Sequence, residues 1–177
     1  MHITNLKIAV LAIIFFVGIT SCSKDKEDNT NGFSCDSYWE KVNLNSICNL
    51  DFPSSFTFDA PPQAGATTIC QANMLANSGI GYNEIILIIK TPSAENAISS
   101  FETEKAAVHS LHTVLEFDGS GDRGYVIEMN GDPADLIYRV QKGAYIVKYN
   151  CKVNPALHSC LTRANHEAYV RALVAKL

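Results

Sequence analysis

The sequence predicts an α+β fold in which helices pack on an antiparallel β-sheet. Three features predict it. Ile85-Ile-Leu-Ile-Ile89 is a short, isoleucine-rich run that suits a central strand covered on both faces. From Val114 to Tyr149, apolar and polar residues alternate between turn signals, the pattern of a strand meander with one face on a core. Two longer stretches, about 94–112 and about 161–176, carry apolar stripes that suit helices, one before the meander and one after it. Strands and helices in that order give a layered α+β domain.

In chain order, Lys7 is followed by an unbroken apolar run from Ile8 to Ile19 and then by Thr20-Ser21-Cys22. A positive start, an apolar segment of roughly 7–15 residues and a small residue before the cut describe a secretory signal. At about 1.5 Å per residue the run is too short to cross a roughly 30 Å hydrocarbon core. Its end, Ile19-Thr20-Ser21-Cys22, resembles the lipobox of bacterial lipoproteins: an aliphatic residue, two small ones, then the cysteine that is lipidated. That resemblance implies a signal peptide over residues 1–21 and Cys22 as the acylated, palmitate-bearing mature N-terminus. It places the chain in the cell envelope, with the outer membrane, at its periplasmic face or the cell surface, as the expected address. The alternative is an ordinary secreted chain cleaved nearby, with Cys22 free or in a disulfide.

Residues 22–32 are polar and charged after the cysteine, so they bury too little to order themselves and read as a flexible tether. The acids after Cys22 also loosely resemble surface-export signals of some Gram-negative lipoproteins. The single domain is expected over 33–177, an ordinary domain size, and the 47% hydrophobic fraction allows a real core. The formal charge is −4, and removing residues 1–21 takes away only Lys7, leaving 13 basic against 18 acidic residues and a charge of −5. Such a balance argues against nucleic acid, which needs a clustered basic face, and leaves membrane attachment to the lipid.

Within the domain, Asp36 or Ser37 could cap a short helix holding Tyr38, Trp39 and Val42, with Trp39 as a core plug. Asp51 to Ser55 turns the chain, Phe56-Thr-Phe58 suits a short strand, and Ala60 to Gly65 is a loop. Thr67 to Ala76 reads as a strand containing Cys70, and 77–81 as a turn. Thr91-Pro92-Ser93 ends the central strand. Ser93 caps a helix whose apolar side is Ala94, Ala97, Ile98, Phe101, Val108 and Leu111. Val114–Phe117 opens the meander, Asp118–Asp122 turns it, and Asn130-Gly131 and Lys142-Gly143 are hairpin signals. After Asn154-Pro155, a last helix buries Tyr169, Val170, Leu173, Val174 and Leu177. Arg163, Glu167 and Arg171 stand four apart on its outer side, each pair contributing about 0.2–0.5 kcal/mol.

Five cysteines follow Cys22, and in an oxidising compartment they are expected to form disulfides. The preferred pairs are Cys48–Cys70 and Cys151–Cys160, leaving Cys35 unpaired nearest the tether. The main rival exchanges Cys35 for Cys48. No C-x-x-C is present, and His158 stands two residues before Cys160 without a matching second pair, so no metal is expected.

Several of these residues together resemble a family. Cys48-Asn49-Leu50 after an early helix, Cys70 in a strand, Gly121-Asp122-Arg123-Gly124-Tyr125 at a turn, and Lys142-Gly143 opening a strand before a terminal helix look like the LpqN-type lipoproteins of unknown function. Their domain resembles the PsbP-like α/β/α sandwich. The resemblance spans about 36–177 and implies that sandwich and a Cys48–Cys70 bridge. Cys35, Cys151 and Cys160 stand outside the pattern, and a fold does not fix an activity.

Familiar catalytic motifs are missing: G-x-S-x-G, H-E-x-x-H, a phosphate loop and a dinucleotide fingerprint. Asp118-Gly-Ser-Gly-Asp122 has oxygen side chains at three calcium-loop positions, but Arg123 stands where glycine must turn and Met129 where a glutamate must close. His109 and His112 share a helix face without a third ligand, and His166 flanks the stripe of the last helix as a packed residue. No cofactor is expected. The expected role is therefore a lipid-anchored, non-catalytic binding or assembly protein that meets an envelope protein or ligand. One alternative is an envelope hydrolase using Asp118 and Asp122 with His109 or His112. The other is an anchored inhibitor or immunity protein presenting an exposed apolar patch.

Overall fold

Residues 32–49, 54–57, 65–75 and 83–177 are described by the computed structural model. The expectations for the signal, Cys22, most of the tether, 51–53, Phe58, the loop over 60–64 and the turn at 77–81 lie outside the described residues.

The first helix, α1, spans Cys35–Trp39, and its cap is Ser34 rather than Asp36 or Ser37. Ser34 Oγ accepts from the Ser37 amide at 3.3 Å, satisfying an N-terminal N–H that the helix leaves open. Starting there turns Cys35, Tyr38 and Trp39 inward together. Strands β1 (Ser54–Thr57), β2 (Thr68–Leu75) and β3 (Asn83–Lys90) form an antiparallel meander. Helix α2, Ala94–His109, then carries the chain over the sheet, with Ser93 Oγ accepting from the Asn96 amide at 3.2 Å as its cap. Strands β4 (Thr113–Glu116), β5 (Arg123–Glu128), β6 (Asp135–Lys142) and β7 (Tyr145–Lys152) form a second meander, and α3, Arg163–Val174, follows.

Among the described residues these strands make one antiparallel sheet in the order β1-β2-β3-β7-β6-β5-β4. The last strand returns beside the third, placing Ile88 opposite Val147. β3 is therefore interior, as its isoleucine run requires. Ile86 and Ile88 face one core, while Ile89 and Leu87 face the other.

Each sheet face carries its own helical layer. On one side α1 and α3 cover Cys70, Ile86, Ile88, Val126, Leu136, Tyr138, Val147 and Tyr149. On the other, Ala97 and Phe101 of α2 cover Ile69, Ile89, Tyr125, Ile127 and Ile146. Strand alternation produces this split, because consecutive side chains leave opposite faces. The expected α+β layering is present as an α/β/α arrangement. No described helix is long and apolar enough to cross a membrane.

Local expectations fail at two ends. α2 stops at His109, so Leu111 leaves the apolar stripe and is 75% exposed. Ser110 Oγ bonds the Ala107 carbonyl at 2.8 Å there, competing with continuation of the helix. α3 begins at Arg163 under a Thr162 cap, leaving Leu161 buried ahead of the helix. Asn130-Gly131 does turn the chain with positive φ at both residues (53° and 74°), as its side chains permit. β6 nevertheless resumes only at Asp135, because Asp132 Oδ1 holds an extra turn through the Ala134 amide at 2.9 Å.

Gly124 lies where β5 passes the end of β4, and a Cβ there would collide with the Phe117 carbonyl oxygen. That atom belongs to the backbone and cannot swing away. Gly124→Ala is expected to destabilise the domain by about 1–3 kcal/mol, the usual cost of overpacking. A urea-midpoint comparison checks it, and an unchanged midpoint would contradict the packing described here.

Candidate functional site

The cysteines pair differently from the expectation. Cys35 bonds Cys70 with Cα atoms 5.2 Å apart, and Cys48 bonds Cys160 with Cα atoms 5.7 Å apart, both within ordinary disulfide reach. Cys151 is free and buried. The preferred Cys48–Cys70 and Cys151–Cys160 bridges, and the unpaired Cys35, are therefore corrected. The reason is layering. Cys70 points from β2 toward the first residue of α1, which is Cys35. Cys48 lies past α1, beyond a 3₁₀ turn at Leu44–Ser46, and reaches the segment that precedes α3. Cys151 projects from β7 into the α1/α3 core. The 153–162 loop, closed by Asn154 N–H to Leu161 O at 2.9 Å, directs Cys160 to Cys48 and not to Cys151. Cys22 lies outside the described residues.

The hydrolase alternative required Asp118 and Asp122 to meet His109 or His112. The structure does not bring them together. Asp122 Oδ2 accepts from the Gly143 amide at 2.8 Å and from Gln141 Nε2 at 3.4 Å, tying the start of β5 to the β6–β7 turn. Asp118 Oδ1 accepts from the Ser120 amide at 3.1 Å, an ordinary Asx turn. His112 Nδ1 accepts from the Asn130 amide at 3.4 Å, beyond the other end of β5. A six-residue strand at about 3.3 Å per residue separates the two ends by roughly 20 Å. The Asp118–Asp122 segment is a structural turn, and Arg171 holds it by donating to the Asp118 carbonyl at 3.0 Å and lying over Phe117.

A different polar set converges inside the α1/α3 core. Glu84 of β3, Tyr149 of β7 and His166 of α3 are 1%, 0% and 0% exposed. The Tyr149 hydroxyl makes a short hydrogen bond with Glu84 Oε2 and stands 2.8 Å from His166 Nδ1. His166 Nε2 lies 3.5 Å from Glu84 Oε1. Burial holds the His166 ring down to about 4, against an opposing pull from the Lys152 backbone. Burial likewise pushes the neighbouring Cys151 thiol up, reinforced by Glu84 and Asp135, so it is a poor nucleophile. The hydroxyls of Tyr138 and Tyr169 face the same core without hydrogen-bond partners among the described residues. His166 was expected to be a packed histidine, and it is. Its link to Glu84 was missed. The available signal was a charged residue opening an otherwise apolar, doubly covered strand.

A surface cleft of about 240 Å³ opens where the first turns of α2 diverge from β3 and β7. Ile89 and Ile146 floor it, and Asn96, Ser99, Ser100 and Lys148 line its polar side. Lys148 is held by Glu104 at 2.7 Å, which also takes Arg139 Nε at 2.8 Å. Burial works against the Glu104 carboxylate, but these two cations together keep it below its ordinary value. The cleft offers hydroxyls, an amide and an apolar floor, which suits small polar ligands more than covalent chemistry.

Bridges spanning 35 and 112 residues restrict the unfolded chain by about 4 and about 5 kcal/mol in the loop-entropy view. Replacing both cysteines of either pair by serine should lower stability by about 2–5 kcal/mol, whereas Cys151→Ser should leave both bridges intact. Non-reducing peptide mapping with denaturation checks both expectations, and loss of a bridge in Cys151→Ser would overturn the pairing. Comparison of the chain with family models, with curated proteins and with solved structures returned no match.

Proposed function

We propose that this chain is a lipid-anchored protein of the cell envelope whose domain binds a small ligand or an envelope partner without catalysing a reaction on it. The observation that carries the reading is the pair of disulfides, Cys35–Cys70 and Cys48–Cys160. Such bonds persist in oxidising compartments, which agrees with an export signal ending in Ile19-Thr20-Ser21-Cys22. Cys22 would carry the acyl groups, and the polar stretch to Gly32 would give the domain reach from the bilayer. The cleft beneath α2 is the concave surface on which a ligand of this reading would bind. Asp118 and Asp122 serve turns, which supports a binding role over the hydrolase alternative.

A second reading, an anchored inhibitor or immunity protein, is favoured by one observation. Leu111 and Leu115 are 75% and 40% exposed beside the edge strand β4, an apolar feature that a partner protein could cover.

Intact-mass analysis of the membrane-derived protein, before and after reduction, is the direct test. The expected result is a diacylglyceryl or triacylated Cys22 with two disulfides, and a Cys22→Ala form that leaves the membrane fraction. An unmodified soluble chain would remove the anchor from the reading. In crosslinking from whole envelopes, Ser100→Trp should abolish a partner held in the cleft. Leu111→Asp should abolish one held on β4, so the pair separates the two readings.

A further inference from the structure

Charges around α2 pair one to one at two places and not at a third. Lys105 meets Glu116 at 2.6 Å, and Arg123 meets Glu102 at 2.5 Å. Glu104 instead takes two cations, Arg139 Nε at 2.8 Å and Lys148 Nζ at 2.7 Å. The remaining Arg139 bonds go to neutral acceptors, the Tyr138 carbonyl at 3.0 Å and Asn150 Oδ1 at 3.2 Å. Two cations against one carboxylate leave a single positive charge unmatched. All three side chains are mostly buried, so water screens that charge only in part.

Lys148 brings this charge to the cleft at the start of α2, and the other polar groups there can donate as well. Ser99 and Ser100 supply exposed hydroxyls. The Asn96 side-chain oxygen already accepts from Ser93 Oγ at 2.7 Å, which leaves the amide hydrogens to face a ligand. Among the described residues no carboxylate lines the cleft, and the charges flanking it along the chain, Lys90 and Glu95, are opposite in sign. The floor, Ile89 and Ile146, is apolar. A volume of about 240 Å³ matches about eight waters at roughly 30 Å³ each, enough for a short-chain molecule.

We infer that the cleft binds small organic monocarboxylates, with the carboxylate against Lys148 and the α2 hydroxyls and a short apolar body over Ile89 and Ile146. This rests on the cleft being the ligand site of the proposed binding role, and it adds the chemical class of the ligand. A carboxylate is an acceptor without hydrogens, so it suits a wall of donors, and its single charge balances the one that Glu104 leaves over. An amine would place another cation beside Lys148 with no free carboxylate to receive it. A neutral amide would leave the charge unmatched. An inorganic dianion would exceed that charge and gain nothing from the apolar floor.

The test is titration of the full-length protein at neutral pH with hexanoate, hexanamide and hexylamine, which share an alkyl chain and differ in the head group. Binding is read from the backbone amide NMR shifts of Ala66, Ile89 and Ser100. Hexanoate should shift these residues and bind about tenfold tighter than hexanamide, the difference a charged hydrogen bond makes, with hexylamine weakest. Lys148→Gln should remove the preference for acid over amide. Glu104→Gln keeps the side-chain shape and leaves a second positive charge unmatched, so it should strengthen hexanoate binding severalfold and leave hexanamide unchanged. A glutamate needed only for packing would not produce that gain.

Equal affinity of the parent protein for acid and amide, or no shift of the cleft residues by hexanoate, would overturn the inference whether or not the variants fold. Weaker hexanoate binding by a folded Glu104→Gln would overturn it too. Crosslinking with Ser100→Trp reports on the binding role separately, so that role can stand with the ligand class refuted.

Discussion

Pairing of β3 with β7 is the constraint on which the rest of the structure depends. Each meander alone is a sheet fragment with two open edges. Joined along Ile85–Lys90 and Tyr145–Asn150, they become one sheet wide enough to support a helical layer on each side. The isoleucines of β3 make this joint favourable, because alternate residues enter opposite cores and neither face is left wet. Loop closure across α2 and the second meander opposes the joint, and burial on both faces offsets it.

The two cores differ in character. The α2 side is small and meets a polar strip in which Glu104 collects Arg139 and Lys148. The α1/α3 side is larger and aromatic, with Tyr138 stacked on Tyr149 and Trp39 set edge-on to Tyr38. Both disulfides lie on this second side. One ties α1 to β2, and the other ties the segment after α1 to the root of α3. The short α1 could not hold its place by helix propensity alone. It is held by Cys35–Cys70, by the buried Tyr38 and Trp39, and by the Tyr38 bond to α3.

Functional potential follows the same division. The buried Glu84–Tyr149–His166 cluster joins β3, β7 and α3 away from solvent. The accessible features lie on the other layer and at the sheet edge: the cleft at the start of α2 and the apolar residues beside β4. The proposed binding role would use that more polar side, with the cross-linked side as its support.

How much was legible varied with the range of the interaction. The isoleucine run, the alternation from Val114 to Tyr149 and the Ser93 cap each reflect contacts within a few residues, and the sequence by itself determined those elements and the α+β class. It also carried the stretch ending at Cys22 on which the proposed address rests. The end of α2 before Leu111 was decided by a local competition, Ser110 bonding back to Ala107, that periodicity does not register. The disulfide partners, the meeting of Glu84 with His166 and the separation of Asp118 from His112 were decided by tertiary structure alone. Each depends on which layer and which end of a strand a side chain occupies. Those placements exist only once β3 and β7 have closed the sheet.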